Sequence, residues 1–68
     1  MFNGATSTDN YNISFHICTD DKKGLLWLEV VTYEKGKNRT TKDFEASKYK
    51  EALDFYKRQE IELEEKYK

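Results

Sequence analysis

Tyr11-Asn12-Ile13-Ser14-Phe15-His16-Ile17-Cys18 alternates between apolar and polar side chains over its whole length. A strand turns successive side chains to opposite faces. Tyr11, Ile13, Phe15 and Ile17 therefore share one face, and Asn12, Ser14, His16 and Cys18 the other. Thr19-Asp20-Asp21-Lys22-Lys23-Gly24 then reads as a turn, and Leu25 to Tyr33 resumes as a second strand rich in Val, Leu and aromatic residues. Pairing Cys18 with Leu25 makes the apolar faces agree. It sets Phe15 opposite Leu28, Ile13 opposite Val30, Ser14 opposite Glu29 and His16 opposite Trp27.

Outward from this hairpin, Glu34-Lys35-Gly36 fits a short loop whose glycine takes the left-handed conformation. A third strand is expected from Lys37 to Phe44, with Phe44 joining Leu26 on the core face and Arg39, Thr41 and Asp43 facing outward. Ser47 is the natural N-cap of a helix that runs to the end of the chain, since neither Gly nor Pro interrupts it. Tyr49, Ala52, Leu53, Tyr56, Glu60, Leu63 and Tyr67 fall along one side of that helix, with Phe55 and Ile61 on its flanks. About 21 helical residues reach roughly 30 Å, so the last two turns are expected to overhang an eight-residue strand.

Residues 1–10 are small and polar without periodicity and read as a flexible arm; residues 11–68 read as a single domain. The expected fold is α+β: a three-stranded antiparallel sheet in the order β-β-β-α, packed on one long C-terminal helix. The expected core comprises Ile13, Phe15, Ile17, Leu26, Leu28 and Val30 from the hairpin, Phe44 from the third strand, and Ala52, Leu53 and Tyr56 from the helix.

Composition narrows the function classes. In 68 residues the chain carries 37% hydrophobic, 37% charged and 15% aromatic residues, enough aromatic surface to fold rather than stay disordered. Twelve basic against 13 acidic residues give a net charge of −1, which favours neither general nucleic-acid binding nor DNA mimicry. One cysteine excludes an internal disulfide, and one histidine leaves no His/Cys cluster for zinc. No cofactor or metal is implied. The first residues lack the basic and apolar regions of a signal peptide, and no apolar run is long enough for a membrane span, so the expected location is cytoplasmic.

His16 and Cys18 lie two apart on one strand face, about 7 Å from each other, without a third group to orient them. They read as ordinary strand residues, and the chain is not expected to be an enzyme. The face away from the helix is more informative. Leu25, Trp27 and Val31 make an apolar strip with a charged rim, the make-up of a binding surface. The candidate partner-binding residues are Trp27 as anchor, Val31 and Tyr33 as supporting contacts, Arg39 as a rim charge and His16 on the neighbouring strand. Two other uses of this face stay open: cover by the N-terminal arm with Phe2, and self-association into a weak homodimer.

The two hairpins in series, followed by Asp43-Phe44-Glu45-Ala46-Ser47 and Lys50-Glu51-Ala52-Leu53-Asp54-Phe55-Tyr56, resemble in layout a group of small phage and mobile-element proteins. These include anti-CRISPR and host-takeover inhibitors. The resemblance spans residues 11–57 and carries over no functional residue. It implies a phage-encoded, non-catalytic inhibitor in the host cytoplasm, whose protein partner is a host nucleoprotein complex such as a CRISPR–Cas machine and whose action is steric occlusion. The same layout is similar to the sheet-reading arm-binding domains of phage and transposon integrases. That similarity implies nucleic-acid binding through the open sheet face, with Lys35, Lys37, Arg39 and Lys42 as the basic residues placed for it.

Overall fold

The computed structural model describes residues 4–68 and shows an α+β domain whose antiparallel sheet packs against one C-terminal helix. The sheet has four strands, β1 (Gly4–Ser7), β2 (Tyr11–Asp20), β3 (Leu25–Glu34) and β4 (Thr40–Glu45), hydrogen-bonded in that order. A 3-10 turn, Ala46–Lys48, leads into the helix α1 (Tyr49–Lys66).

The fourth strand corrects the expected three, and it comes from the segment read as an arm. Gly4 to Ser7 pairs with Phe15 to Asn12 along the outer edge of β2. The turn between them is closed by Thr8, whose backbone N–H donates to the Tyr11 carbonyl while its hydroxyl accepts from the Tyr11 N–H. Gly-Ala-Thr-Ser has no large apolar side chain to betray a strand. Its contribution is backbone pairing, which makes β2 an interior strand. β1 lies beside β2 within the sheet and does not cross its open face; the expectation for Phe2 falls outside the described residues.

Both hairpins sit two residues away from the expected register. Phe15 faces Val30, Ile17 faces Leu28, His16 faces Glu29 and Cys18 faces Trp27. The cause is a tighter turn. One Asp20 carboxylate oxygen accepts from the N–H groups of Lys22 and Lys23, and Gly24 takes a φ of 66°, so the strands run on to an Asp20–Leu25 pair. In the second hairpin Phe44 pairs with Leu28 and not Leu26. The Lys37 N–H donates to the Glu34 carbonyl around Gly36 at φ 81°, and Asn38 and Arg39 follow outside the ladder, so β4 starts at Thr40. A shift of two keeps every side chain on its expected face.

The core between sheet and helix consists of Tyr11, Ile13, Phe15, Leu28, Val30, Ala52, Tyr56 and Leu63. Phe15 sits at its centre, edge-on to Tyr49 at 5.8 Å and to Tyr56 at 6.0 Å between ring centroids. Ile17, Phe44 and Leu53, expected in the core, are partly buried against it, and Leu26 is 43% exposed. Glu60, which interrupts the apolar stripe of α1, accepts a hydrogen bond from the Thr6 hydroxyl of β1. Ser47 does not cap the helix. It lies inside the 3-10 turn, and Lys48 at the N-cap makes no side-chain cap bond.

The expected overhang is absent as well. The 18 residues of α1 span about 27 Å, against about 33 Å for the ten-residue strands β2 and β3. The last turns therefore lie on the sheet. Tyr67 stacks on Tyr11 at 5.7 Å and Leu63 is buried. No helix among the described residues is long and apolar enough to cross a membrane.

Candidate functional site

The face of the sheet opposite α1 follows from the register. Trp27 of β3 stands between Cys18 and Glu45, Glu29 between His16 and Asp43, Val31 between Ser14 and Thr41, and Tyr33 beside Asn12. Glu29 is the one charged side chain of β3 on this face and stands between Trp27 and Val31; Trp27 and Val31 are half-buried and Tyr33 is 45% exposed. The Trp27 indole N–H donates to Glu29 Oε2 at 3.0 Å, which fixes the ring against its own strand. His16 is exposed, and its Nε2 lies 2.7 Å from Ser14 Oγ.

These residues form two separate hollows. His16, Val31, Tyr33 and Arg39 come together with Asn12 and Ser14 around a shallow depression of about 570 Å³. Arg39 reaches it from the loop before β4, not from the strand as expected. Trp27 is not part of this group. It lines a second hollow of about 600 Å³ at the Gly24 end of the sheet, together with Leu25, Leu26 and Phe44. Four of the five candidate residues therefore meet, and the intended anchor stands apart from them, beyond Glu29 on β3.

The electrostatics of the two hollows differ. The Trp27 hollow is bordered by Asp20, Asp43 and Glu45 against the single cation Lys23. The Cys18 thiol, beside Trp27, has its pKa raised by burial first and then by the charge and hydrogen bonding of Glu29 and the charge of Asp43. A raised pKa lowers the thiolate fraction at neutral pH, the reverse of what a nucleophilic cysteine needs. The other hollow offers donors: the Arg39 guanidinium, the Asn12 amide and the hydroxyls of Ser14 and Tyr33. Lys42, counted among the basic residues near this face, is on the helix side. Its ammonium lies 5.5 Å from the Phe44 ring centroid and 5.7 Å from that of Phe55. An inward-pointing lysine on an edge strand also discourages sheet-to-sheet pairing there.

Leu26, Phe44 and Glu45 belong to the Trp27 hollow and were not among the candidates. The signal that points to them is the end of β4: its last pair is Glu45 with Trp27, two residues short of where β3 begins. Among the described residues no group of three or more His, Cys, Asp or Glu side chains could hold a metal ion. In comparisons with known proteins no family model matches this chain, and neither a curated protein nor a solved structure matches it.

Proposed function

We propose that this chain is a non-catalytic protein-binding module that acts by occupying a surface another macromolecule needs. The observation that carries this reading is the open sheet face itself. It bears Trp27, then beyond Glu29 Val31 and Tyr33, along β3, and no described element lies over it. Half-buried aromatic residues ringed by polar groups are what binding hot spots are made of. The resemblance in layout to small phage inhibitors, read from residues 11–57 of the sequence, is the ground for a finer version, in which the partner is a host nucleoprotein complex and the module a steric inhibitor of it. Nucleic acid is the runner-up as partner, served by Arg39 and Tyr33 in one hollow. Glu29, Asp43 and Glu45 on the same face, with Lys42 turned to the helix side, favour protein over a polyanion. A weak homodimer through this face would compete with a foreign partner for it.

Affinity capture from a host lysate with the wild type and Trp27→Ala tests the reading. A partner held by the wild type and lost by the variant is expected, with retention that changes little between low and moderate salt. Equal recovery of every partner by both proteins would remove the face from the account. A steep salt dependence abolished by Arg39→Ala would transfer the reading to nucleic acid.

A further inference from the structure

At the Gly24 end the sheet is notched. On one side Leu25 and Leu26 pair with Asp20 and Thr19 of β2. On the other side β4 has already ended, since its last pair joins Glu45 to Trp27 and the chain then passes into the 3-10 turn Ala46–Lys48. Two residues of β3 therefore have no strand neighbour there among the described residues, and their side chains are 54% and 43% exposed. Each has an aromatic neighbour in the same hollow, Leu25 beside Trp27 on the open face and Leu26 beside Phe44 on the helix side, so apolar surface is left open there.

The walls of the notch select the cover. Its lining is apolar on both sides of the sheet edge: Leu25 and the Trp27 ring on the open face, Leu26 and Phe44 on the helix side. Its rim carries three carboxylates, Asp20, Asp43 and Glu45, against one lysine, Lys23, a balance of −2 (one minus three). Asp20 is partly engaged, because its Oδ1 accepts from the turn N–H groups. Asp43 and Glu45 form no ion pair with any described residue. A guanidinium meets all these features at once. Its stem lies along apolar surface, its planar head stacks on an indole, and its N–H groups pair with carboxylates two at a time.

We propose that this notch takes an extended segment of a partner protein in which an arginine stands next to an aliphatic residue. The aliphatic side chain covers Leu26 and Phe44 on the helix side of β3, and the neighbouring arginine, on the opposite face, runs along Leu25 and over Trp27 between Asp43 and Glu45. This rests on the open-face binding role proposed above and names the chemistry of the partner. A volume of about 600 Å³ lies within the range of clefts that hold a few side chains. The backbone of Leu26 faces the β4 side beyond the last β3–β4 pair, which gives an extended segment a place to pair.

The probe is a blocked tripeptide of leucine, arginine and leucine, titrated into ¹⁵N-labelled protein; a glutamine-centred tripeptide is the control. Trp27 is the only tryptophan, so its indole N–H signal reports the notch without ambiguity. The arginine peptide is expected to move the Leu25, Leu26, Glu45 and Trp27 indole signals, and the glutamine peptide to bind about tenfold more weakly. Asp43→Asn combined with Glu45→Gln should bring the two peptides level while leaving the fold intact, since both side chains are exposed. Equal binding of the two peptides by the wild type, or no movement at these signals with either, overturns the proposal. Movement of the same signals on raising protein concentration alone, or on adding a short oligothymidylate, also overturns it, by assigning the notch to a second copy or to nucleic acid. The assay uses no natural partner, so its failure is separate from that of the lysate capture. A peptide-indifferent notch with Trp27→Ala still losing a partner sinks this inference alone.

Discussion

The two ends of the sheet are built differently. At the end where β2 begins and β3 stops, Tyr11 and Leu63 are 7% and 4% exposed and Tyr67 stacks on Tyr11. Glu34 Oε2 there accepts from the Lys66 ammonium at 2.7 Å and the Tyr67 hydroxyl at 2.8 Å, and Lys37 stands 3.4 Å away. At the opposite end Leu26, on the helix side of β3, is 43% exposed, and the helix has not yet begun. The difference is one of length. A helix of about 27 Å entered from Glu45 covers a strand of about 33 Å from its far end back, and falls about two residues short at the near end. Cohesion collects where the helix finishes, and unused apolar surface collects where it starts.

That contrast can be broken most severely at the closed end. Leu63→Ala removes a buried side chain of the core cluster that also contains Tyr11 and against which Tyr67 packs, and Leu→Ala changes at such sites cost about 2–5 kcal/mol. A domain of 68 residues has a total stability of about 3–10 kcal/mol, so the loss is a large fraction of it. Urea unfolding of the variant should show a large fall in midpoint. A midpoint unchanged from the wild type would mean that the last two turns of α1 do not hold the sheet.

A smaller effect is expected on acidification, at the same end. The Glu34 carboxyl is held down to about 2 from 4.5, first by the hydrogen bond from Lys66, then by that from Tyr67. A depressed carboxyl favours the folded state above its unfolded pKa. That contribution is present above pH 4.5 and is lost as pH falls from there towards 2. The pair is solvent-accessible and screened, so the melting temperature should drop modestly over this window. In Glu34→Gln the part of the drop due to this group should vanish. The Tyr67 hydroxyl, raised in pKa chiefly by donating to the same carboxylate, would lose that partner's charge in the variant, and its titration should move back down. Parallel acid profiles for wild type and Glu34→Gln would show that the clamp adds nothing in solution.

The faces of β2, β3 and β4 were legible in the sequence, and the registers were not. Alternation in Tyr11 to Cys18 and Leu25 to Tyr33 decides which side chains meet the helix, but a slip of two residues satisfies it equally well. What selects among registers is turn chemistry, here the Asp20 carboxylate folding back on Lys22 and Lys23, and its signal is weak in a stretch of six turn-compatible residues. β1 escaped because Gly4 to Ser7 is joined to the sheet by backbone pairing, which leaves no hydrophobic trace. The Thr8-Asp9-Asn10 turn was the available clue. On the open face the sequence placed Trp27, Val31, Tyr33 and His16 correctly, yet grouped them as one patch. Their division into a donor-rich hollow and an acidic notch depends on where β4 stops, which only pairing with β3 reveals.

The smallest effect is expected at the open end, and it is the sharpest test of the contrast. Leu26 points to the helix side of β3, and by pattern alone it belongs to the core with Leu28 and Val30. It pairs with Thr19 rather than with an apolar neighbour, has no β4 residue beside it, and retains 43% of its exposure. Truncation of a side chain left that open forms no closed cavity, because solvent fills the space at once. The cavity penalty that makes Leu63→Ala costly is then missing, and only part of the transfer free energy is at stake. Leu26→Ala should therefore lie close to the range of ordinary surface changes, about 0.5 kcal/mol. The same substitution at two helix-side leucines should thus differ severalfold in urea midpoint shift. A loss at Leu26 equal to that at Leu63 would mean that the near end is closed in solution, whether by the chain's first residues or by a second copy. The notch would then be no free surface at all.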